Sequence, residues 1–286
     1  MRLAGRLAGL VAGLLAAGAA VAAGAPAPLV LAVHPYLPAE EITRRFTPLA
    51  EALARSTGRA VVVRVGVSYA EHIAAIGTGS VDIAYMGPAL YVRMTGSYGP
   101  KPLLARQVIN GDPARHGEII VRQDSAIRSL QDLKGKRFAF SDPEATSGHV
   151  VPAAMLRDAG VPESALAQSA YLHSYRNVAL AVLAGDFDAG AVREEIYREY
   201  APRGLRTLAH QPAVADHLFV ASSGLSGAEV DALRRAFMEL PGTPQGKVAM
   251  IAIDPAMTAL VAARDSDYDN LRALMRLPAS VPHPRR

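Results

Sequence analysis

Short apolar segments alternate with amphipathic segments along almost the whole chain, and few folds accommodate such a pattern. Apolar segments of strand length lie at 29–33, 60–65, 81–84, 103–108, 118–121, 137–140, 170–172 and 188–192. Between them, apolar residues recur at helical spacing, as Phe46, Leu49 and Leu53 do. Strands that alternate with helices predict an α/β fold in which helices flank mixed, mostly parallel sheets.

Two helices have recognisable ends in the sequence. Thr47 and Pro48 predict a helix start close to them, because proline is favoured in the first turn, and Gly58 predicts the end of that helix. Ser226 and Glu229 have the spacing of a capping box and predict the start of another helix.

The first residues have the layout of a secretory signal peptide. Arg2 and Arg6 precede an uncharged run at 7–23 that is rich in Ala, Leu, Val and Gly, and small residues follow. We expect a signal peptide at 1–22, with an uncleaved membrane anchor as the alternative. The chain has no cysteine, so no disulfide, thiolate metal ligand or lipid-modified cysteine can form. The sequence therefore predicts an exported periplasmic protein that is not a lipoprotein.

The charge distribution and the motifs argue against several functions. The net charge of the whole chain is +4, and the basic residues are scattered, so we expect no nucleic-acid partner. The sequence contains no Gly-x-Ser-x-Gly elbow, no His-Glu-x-x-His pair and no phosphate-binding P-loop. No two histidines stand at a metal-binding helical spacing. We therefore expect no enzyme, no metal site and no cofactor.

The segment 141–149, with the sequence SDPEATSGH, predicts a turn that can bind an anion. It follows the apolar segment 137–140 and precedes the apolar residues of a helix that begins near Val150. Backbone N–H groups at a helix start are free to bind an anion, and Thr146 and Ser147 add hydroxyl groups. The alternative is an ordinary helix cap, since Ser and Thr are common there.

Three further motifs accompany this segment, and together the four resemble a known family. They are VDIAYMGP at 81–88, LAVLAGDFDAGAV at 180–192 and DSDYD at 265–269. In this order the chain is similar to the periplasmic phosphonate/phosphite/phosphate-binding proteins of ABC transporters, from about residue 29 to residue 269.

The resemblance implies a two-lobed type II periplasmic binding protein. The first lobe would be discontinuous, at 28–112 plus 215–286, and the second would span 113–214. The turn-rich breaks at 110–117 and 211–216 would be the two crossovers between the lobes. The ligand would lie in the cleft between the lobes, which would close around it by a hinge motion.

The resemblance also implies a first set of ligand-binding residues. In the family, a Ser-Thr-Ser triplet holds the phosphonate oxygens, and this chain has Ala145, Thr146 and Ser147 there. Only the backbone N–H of Ala145 can replace the missing hydroxyl, whose loss costs about 1.5–3 kcal/mol at a charged ligand. The phenol of Tyr85 or of Tyr91 is expected to reach the ligand, with packing at the lobe edge as the alternative for each.

A second set of expected residues departs further from the family pattern. Ser174 keeps its place at a helix start, whereas Tyr175 stands where the family has a histidine and Arg176 where it has an acidic residue. Arg176 would favour an anion if it turned inward, and the alternative is a solvated arginine. Glu195 aligns with an acidic cleft residue that would bind an amino group or a protonated oxygen, and the alternative is an acid in a first helical turn. Tyr36 follows the first strand and is also expected in the cleft.

The sequence thus predicts a monomeric, exported solute-binding protein that captures a phosphonate or a related small oxyanion. It would deliver the ligand to the permease of an ABC transporter in the inner membrane. The alternative is a periplasmic sensor that presents the bound ligand to a membrane histidine kinase. The departures at Ala145, Tyr175 and Arg176 leave the identity of the ligand open.

Overall fold

The structure, a computed structural model, describes residues 26–277, and the predicted signal peptide at 1–22 lies outside them. Within the described residues the chain forms strands that we number in chain order. They are β1 (Leu29–Val33), β2 (Val61–Val65), β3 (Ile83–Met86), β4 (Leu103–Ile109), β5 (Ala114–Arg115), β6 (Gly117–Arg122), β7 (Arg137–Phe140), β8 (Gln168–Tyr171), β9 (Ala189–Arg193), β10 (Leu205–His210), β11 (Val214–Ala215), β12 (Leu218–Ala221) and β13 (Met257–Val261).

Helices connect most of these strands. They are α1 (Ala39–Thr57), α2 (Tyr69–Thr78), α3 (Pro88–Tyr98), α4 (Val151–Asp158), α5 (Tyr175–Ala184), α6 (Glu194–Tyr200), α7 (Gly227–Glu239), α8 (Pro244–Ile253) and α9 (Asp269–Met275). A π-helical turn at Thr146–Val150 leads directly into α4. Among residues 26–277, none of the helices has the length and apolar character needed to cross a membrane.

The strands form two larger sheets. In the first, with the order β13-β4-β12-β3-β1-β2, β1 is parallel to β2 and β3, and β12 is antiparallel to both of its neighbours. In the second, with the order β10-β6-β9-β7-β8, β7 is parallel to β8 and β9, and β6 is antiparallel to β9 and β10. The mixed α/β class is confirmed, but less of the pairing is parallel than we expected. The reason is that β6 and β12 each enter a sheet from the other one and run against their neighbours, and that β13 also pairs antiparallel with β4.

The chain passes between the two sheets twice, in adjacent places. It leaves the first sheet after β4 and returns to it at β12, and β5 and β11 pair antiparallel on these passages. Both short strands lie in the breaks at 110–117 and 211–216. The lobe limits 28–112, 215–286 and 113–214 stay a prediction.

Apolar residues cover both faces of each sheet. On one face of the first sheet, Leu31 packs with the α1 residues Phe46 and Leu53, and on the other face Met86 packs with residues of α2, α3 and α9. The second sheet is covered in the same way by two further clusters, one of which contains Phe138. Helices on both faces explain why many of the strands read as nearly continuous apolar runs.

The start of α1 was predicted wrongly, whereas its end at Gly58 is confirmed by a left-handed φ of 67°. The helix begins at Ala39, and Pro48 lies inside it. An interior proline costs about 3 kcal/mol because it removes one backbone hydrogen bond. Burial of the apolar face from Ile42 to Leu53 offsets this cost. At α7 the predicted capping box is present, since Ser226 and Glu229 exchange side-chain to backbone hydrogen bonds.

Candidate functional site

A cavity of about 380 Å³ lies between residues of the two sheets. On one side it is lined by residues that follow β1 and β3, and on the other by residues that follow β7, β8 and β9. Of the residues that the sequence predicted as ligand-binding, it is lined by Tyr36, Tyr85, Ala145, Thr146, Ser147, Ser174, Tyr175 and Arg176. Tyr91 and Glu195 do not line it.

The turn that begins at Thr146 presents free backbone donors. The N–H groups of Thr146, Ser147 and Gly148 have no acceptor among the described residues, and the first bonded N–H of the turn is that of His149. These groups carry the partial positive charge of a helix start. The turn can therefore bind an anion without a neighbouring side-chain charge.

Ala145 does not supply the donor that we expected from it. Its N–H donates to the carbonyl oxygen of Asp142 at 3.0 Å, which closes the preceding turn. The missing hydroxyl at this position is therefore not replaced by the backbone of the same residue.

The turn is held in place by contacts with both sides of the cavity. The hydroxyl of Thr146 accepts a hydrogen bond of 3.1 Å from the N–H of Ala89, in the first turn of α3. The carbonyl oxygen of Ser147 accepts one of 2.8 Å from Nε2 of Gln211. Both hydroxyl groups of the turn belong to buried residues, so the turn is a fixed part of the cavity wall.

Gly148 allows the turn to approach its neighbours closely. A Cβ atom at this position would lie 1.8 Å from the hydroxyl of Ser141 and 3.0 Å from the ring of Tyr175. The buried Ser141 hydroxyl has no hydrogen-bond partner among the described residues. The turn, the end of β7 and the start of α5 therefore meet at this glycine.

The start of α5 is capped by a side chain. The hydroxyl of Ser174 accepts hydrogen bonds from the N–H groups of Arg176 at 3.1 Å and Asn177 at 3.4 Å. The Arg176 side chain is 59% exposed and forms a salt bridge of 2.9 Å with Glu199. Arg176 thus lies at the cavity rim with its charge already compensated.

Arg193, the last residue of β9, is a cavity cation that the sequence analysis missed. Its guanidinium group lies 4.8 Å from the centroid of the Tyr175 ring, and its buried Nε has no partner among the described residues. Its nearest carboxylate, Glu195, is 3.7 Å away. The other cavity arginines, Arg45, Arg115 and Arg176, have carboxylates at 2.7, 2.7 and 2.9 Å. Arg193 is therefore the least compensated of these four cations.

Glu195 forms salt bridges with arginine side chains and does not line the cavity. Its side chain is 50% exposed, in the first turn of α6, and its carboxylate lies 3.5 Å from Arg115 and 3.7 Å from Arg193. A carboxylate in this position supports the two guanidinium groups. Glu195 is therefore not placed in the cavity to receive a ligand's amino group.

The two tyrosines near Gly87 both have engaged hydroxyl groups. The Tyr85 hydroxyl donates to Oε1 of Gln107 at 2.8 Å, although its ring still lines the cavity. The Tyr91 hydroxyl donates to Asp265 at 2.5 Å, and its ring packs against Tyr268 in the core. The structure thus places Tyr91 away from the cavity.

Asp216 links several residues behind the cavity wall. Its carboxylate accepts hydrogen bonds from Gln107, from two nitrogens of Arg115, and from the backbone and the Nδ1 of His217, all at 2.6–3.0 Å. Burial opposes the charge of Asp216, but the Arg115 guanidinium and the His217 ring outweigh it and hold the pKa of Asp216 well below its usual range. The charge of Arg115 is therefore largely compensated by Asp216 inside the protein.

Aromatic rings form the wall of the cavity on the side of the first sheet. His34 is at the centre, with the rings of Tyr36 at 5.0 Å, Tyr69 at 5.7 Å, Tyr85 at 5.7 Å and His217 at 5.8 Å. Tyr36, His34 and Tyr69 line the cavity, and we call these three residues the ring face. The Tyr36 and Tyr69 hydroxyls have no hydrogen-bond partner among residues 26–277.

The ring face carries no charge at neutral pH. Burial lowers the pKa of His34 well below its ordinary value, and the neighbouring imidazoles of His72 and His217 lower it further. Burial also raises the pKa of Tyr36 to about 12 and raises that of Tyr69. This wall therefore offers neutral rings and two free phenol groups to a ligand. In the described part of the chain, no group of three or more His, Asp or Glu side chains is arranged to hold a metal ion.

Some of the missed residues had a signal in the sequence. Arg193 directly follows the apolar segment 188–192, at the end of a strand, where α/β proteins commonly bind their ligands. Arg115 and His217 lie in or beside the two breaks that the analysis treated only as crossovers. Tyr69 is the first residue of α2, shortly after β2, and had no motif around it.

Comparisons with known proteins agree with this architecture. The family model for the periplasmic substrate-binding protein of a phosphonate ABC transporter matches residues 31–268. A "Phosphate-import protein PhnD" of Mycolicibacterium smegmatis is 28% identical over 277 residues, which cover 88% of this chain and 86% of the relative.

Solved structures show the same fold at low sequence identity. PhnD1 from Prochlorococcus marinus, in complex with methylphosphonate, superposes with a TM-score of 0.73 at 19% identity and covers 88% of this chain and 98% of its own. A Xanthomonas citri protein solved bound to ATP gives a TM-score of 0.76 at 19% identity, covering 87% of this chain and 96% of its own. Because the family model spans most of the chain and the fold agrees with it, the chain belongs to the family of periplasmic substrate-binding proteins of phosphonate ABC transporters.

Proposed function

We propose that this protein captures a phosphonate, or a related small oxyanion such as phosphite or phosphate, and delivers it to the permease of an ABC transporter. It acts in the periplasm as a monomer and performs no covalent chemistry. Membership of the family supports the transport role, and the cavity supports an anionic ligand.

The observation that carries this proposal is the free N–H groups of Thr146, Ser147 and Gly148 together with Arg193, the least compensated arginine of the cavity. The Tyr175 ring touches the turn at Gly148 and also lies under the Arg193 guanidinium. An oxyanion on the turn would accept hydrogen bonds from the backbone and lie near a guanidinium group that binds two oxygens at once. The hydroxyls of Thr146 and Ser147 complete this anion site.

The free phenols of Tyr36 and Tyr69 are proposed as ligand contacts on the opposite wall. They take the place that the sequence analysis gave to the phenol of Tyr85 or of Tyr91, whose hydroxyls are engaged within the protein. A phenol remains protonated over the whole physiological range, so these two groups can contact the part of the ligand beyond its oxyanion without titrating.

We further propose that the cavity is the cleft between two lobes, at 28–112 plus 215–286 and at 113–214. Contacts across it support this division: the Thr146 hydroxyl bonds to the N–H of Ala89, and Arg93 pairs with Glu144. Both contacts join α3, beside the first sheet, to the segment after β7 in the second. A ligand that touches both sides would add to these contacts and favour the closed form.

A thermal-shift screen of the protein, stripped of ligand by unfolding and refolding, tests the function. The panel contains phosphate, phosphite, methylphosphonate, 2-aminoethylphosphonate, sulfate and acetate. A ligand at about 100 times its Kd stabilises the native state by about 2.7 kcal/mol. We expect a selective rise in Tm with at least one phosphorus oxyanion. A rise with sulfate or acetate alone would contradict the proposed ligand class, and no rise with any compound would contradict the function.

A further inference from the structure

The cavity has more space than a small oxyanion fills. Its volume of about 380 Å³ corresponds to about twelve water molecules at about 30 Å³ each. The free N–H groups and Arg193 lie at one side, on residues that follow β7 and β9. An oxyanion bound there leaves the rest of the cavity, up to the ring face, for another part of the ligand.

The ring face provides flat, neutral surface for that part. The rings of Tyr36 and Tyr69 lie 5.0 and 5.7 Å from His34, are tilted by 38° against it, and are only partly buried. Because His34 itself is buried and stacked at 12° on Tyr85, the arrangement of the face is fixed before a ligand arrives. Aromatic ligand groups gain offset or edge contacts with such rings in addition to the burial of their area.

The charges around the cavity restrict which groups the ligand can carry beyond its oxyanion. Asp142 and Asp254 line the cavity, and neither has a salt-bridge partner among the described residues. Each would repel a second acidic group on the ligand. Among the arginines of the cavity Arg193 has the most distant carboxylate, at 3.7 Å, and the oxyanion already uses this arginine.

From this arrangement, and resting on the proposed function, we infer that the preferred ligand is a phosphonate or phosphate ester that carries an aromatic ring without a second acidic group. The phosphorus oxyanion binds at 146–148 and Arg193, and the aromatic ring packs on the ring face. This inference selects one class of organophosphorus compound from those that the anion site alone would accept.

Titration calorimetry of the ligand-stripped protein with methylphosphonate, cyclohexylphosphonate and phenylphosphonate tests the inference. We expect a Kd for phenylphosphonate at least about tenfold below that for methylphosphonate and about threefold below that for cyclohexylphosphonate. If methylphosphonate binds and phenylphosphonate binds no better, the inference is wrong and the proposed function stands. If cyclohexylphosphonate binds with the same Kd as phenylphosphonate, the space accepts an apolar group without preferring an aromatic ring, and the inference is again wrong. If none of the three and no phosphate binds, the proposed function itself fails.

Two substitutions locate the preference on the ring face. Tyr69→Leu should reduce the preference for phenylphosphonate over methylphosphonate to less than about threefold, whereas Tyr69→Phe should retain it because the ring remains. Tyr36→Leu makes the same test from the other side of His34 and serves if the first variant does not fold. A preference that survives both leucine substitutions would contradict the assignment to this face.

Discussion

Gly148 is the residue on which the geometry of the proposed anion-binding turn at 146–148 depends most directly, and we call this segment the anion turn. Alanine there would bring a methyl group to 1.8 Å from the Ser141 hydroxyl and 3.0 Å from the Tyr175 ring. We expect Gly148→Ala to lower the free energy of unfolding by about 1–3 kcal/mol, as overpacking does, and to weaken phosphonate binding.

Gly96→Ala is the matched control, because nothing lies within 4 Å of that position on α3. In urea unfolding it should raise stability by about 0.5–1 kcal/mol. Equal stability of the two variants would contradict the close packing at the turn.

His72 should make the protein less stable in mild acid. Burial lowers its pKa from 6.5 to about 4, although its Nε2 lies 3.0 Å from the carbonyl oxygen of Tyr85 and donates to it. Because the native state binds the proton more weakly than the unfolded chain, stability is complete above pH 6.5 and falls as the pH approaches 4. The loss from this residue amounts to about 3 kcal/mol.

Unfolding by urea between pH 7 and pH 4.5 measures this effect. His72→Gln should show a smaller loss over that range than the unsubstituted protein, because glutamine does not titrate. Its remaining loss reports His34 and His217, whose pKa values are also lowered by burial. Identical losses in the two proteins would show that His72 is not the titrating group.

The sequence analysis predicted a turn within 141–149 as part of the site but did not predict which side chains surround it in the cavity, and the reason is physical. Thr146 and Ser147 were predictable because the free donors of a helix start follow from local chain order. The role of Arg193 was not, since it depends on how far the nearest carboxylate lies in space. The phenol of Tyr85 or of Tyr91 was expected to reach the ligand, but Gln107 and Asp265, both distant in the sequence, accept hydrogen bonds from these hydroxyls.

The helix α1 shows that an apolar face can override a proline. Its buried residues begin at Ile42, one full turn before Phe46, so burial favours a helix that continues through Pro48. We expect Pro48→Ala to raise the free energy of unfolding by about 2 kcal/mol. The backbone hydrogen bond that alanine restores stabilises the native state by more than the gain in conformational entropy stabilises the unfolded chain. Chemical unfolding measures the change, with Thr47→Ala on the same exposed turn as the control. A variant no more stable than the control would mean that the helix has already adapted to the proline.

Strands were predictable where most of their residues are apolar, as at 137–140 and 188–192. Five of the strands in the described residues were missed: the two-residue strands β5 and β11, and β10, β12 and β13. The sequence of β10, LRTLAH, has neither a continuous apolar run nor a regular alternation, and the strand lies partly buried at the edge of the second sheet. By contrast β12 is completely buried but only four residues long, too short to separate from a loop by pattern alone.

The whole molecule places two kinds of surface on opposite sides of one cavity. Residues after β7 and β9 in the second sheet provide backbone donors and Arg193, and the loops of the first sheet provide neutral rings. The two passages between the sheets lie next to each other, paired through β5 and β11. A hinge there would bring the anion turn and the ring face together around one ligand. The α/β class followed from the order of the segments, but the cavity's composition required the packing of both sheets.

Calorimetric titration of methylphosphonate into the ligand-stripped protein, and into its Arg193→Gln and Arg176→Gln variants, tests the assignment of the anion site most directly. We expect one binding site per chain, a Kd about 30-fold higher in Arg193→Gln, and a change of less than about threefold in Arg176→Gln. The difference follows because Arg193 has the most distant carboxylate of the cavity arginines, whereas Arg176 is paired with Glu199 at 2.9 Å. Equal affinities of the two variants, or a larger loss in Arg176→Gln, would contradict the assignment.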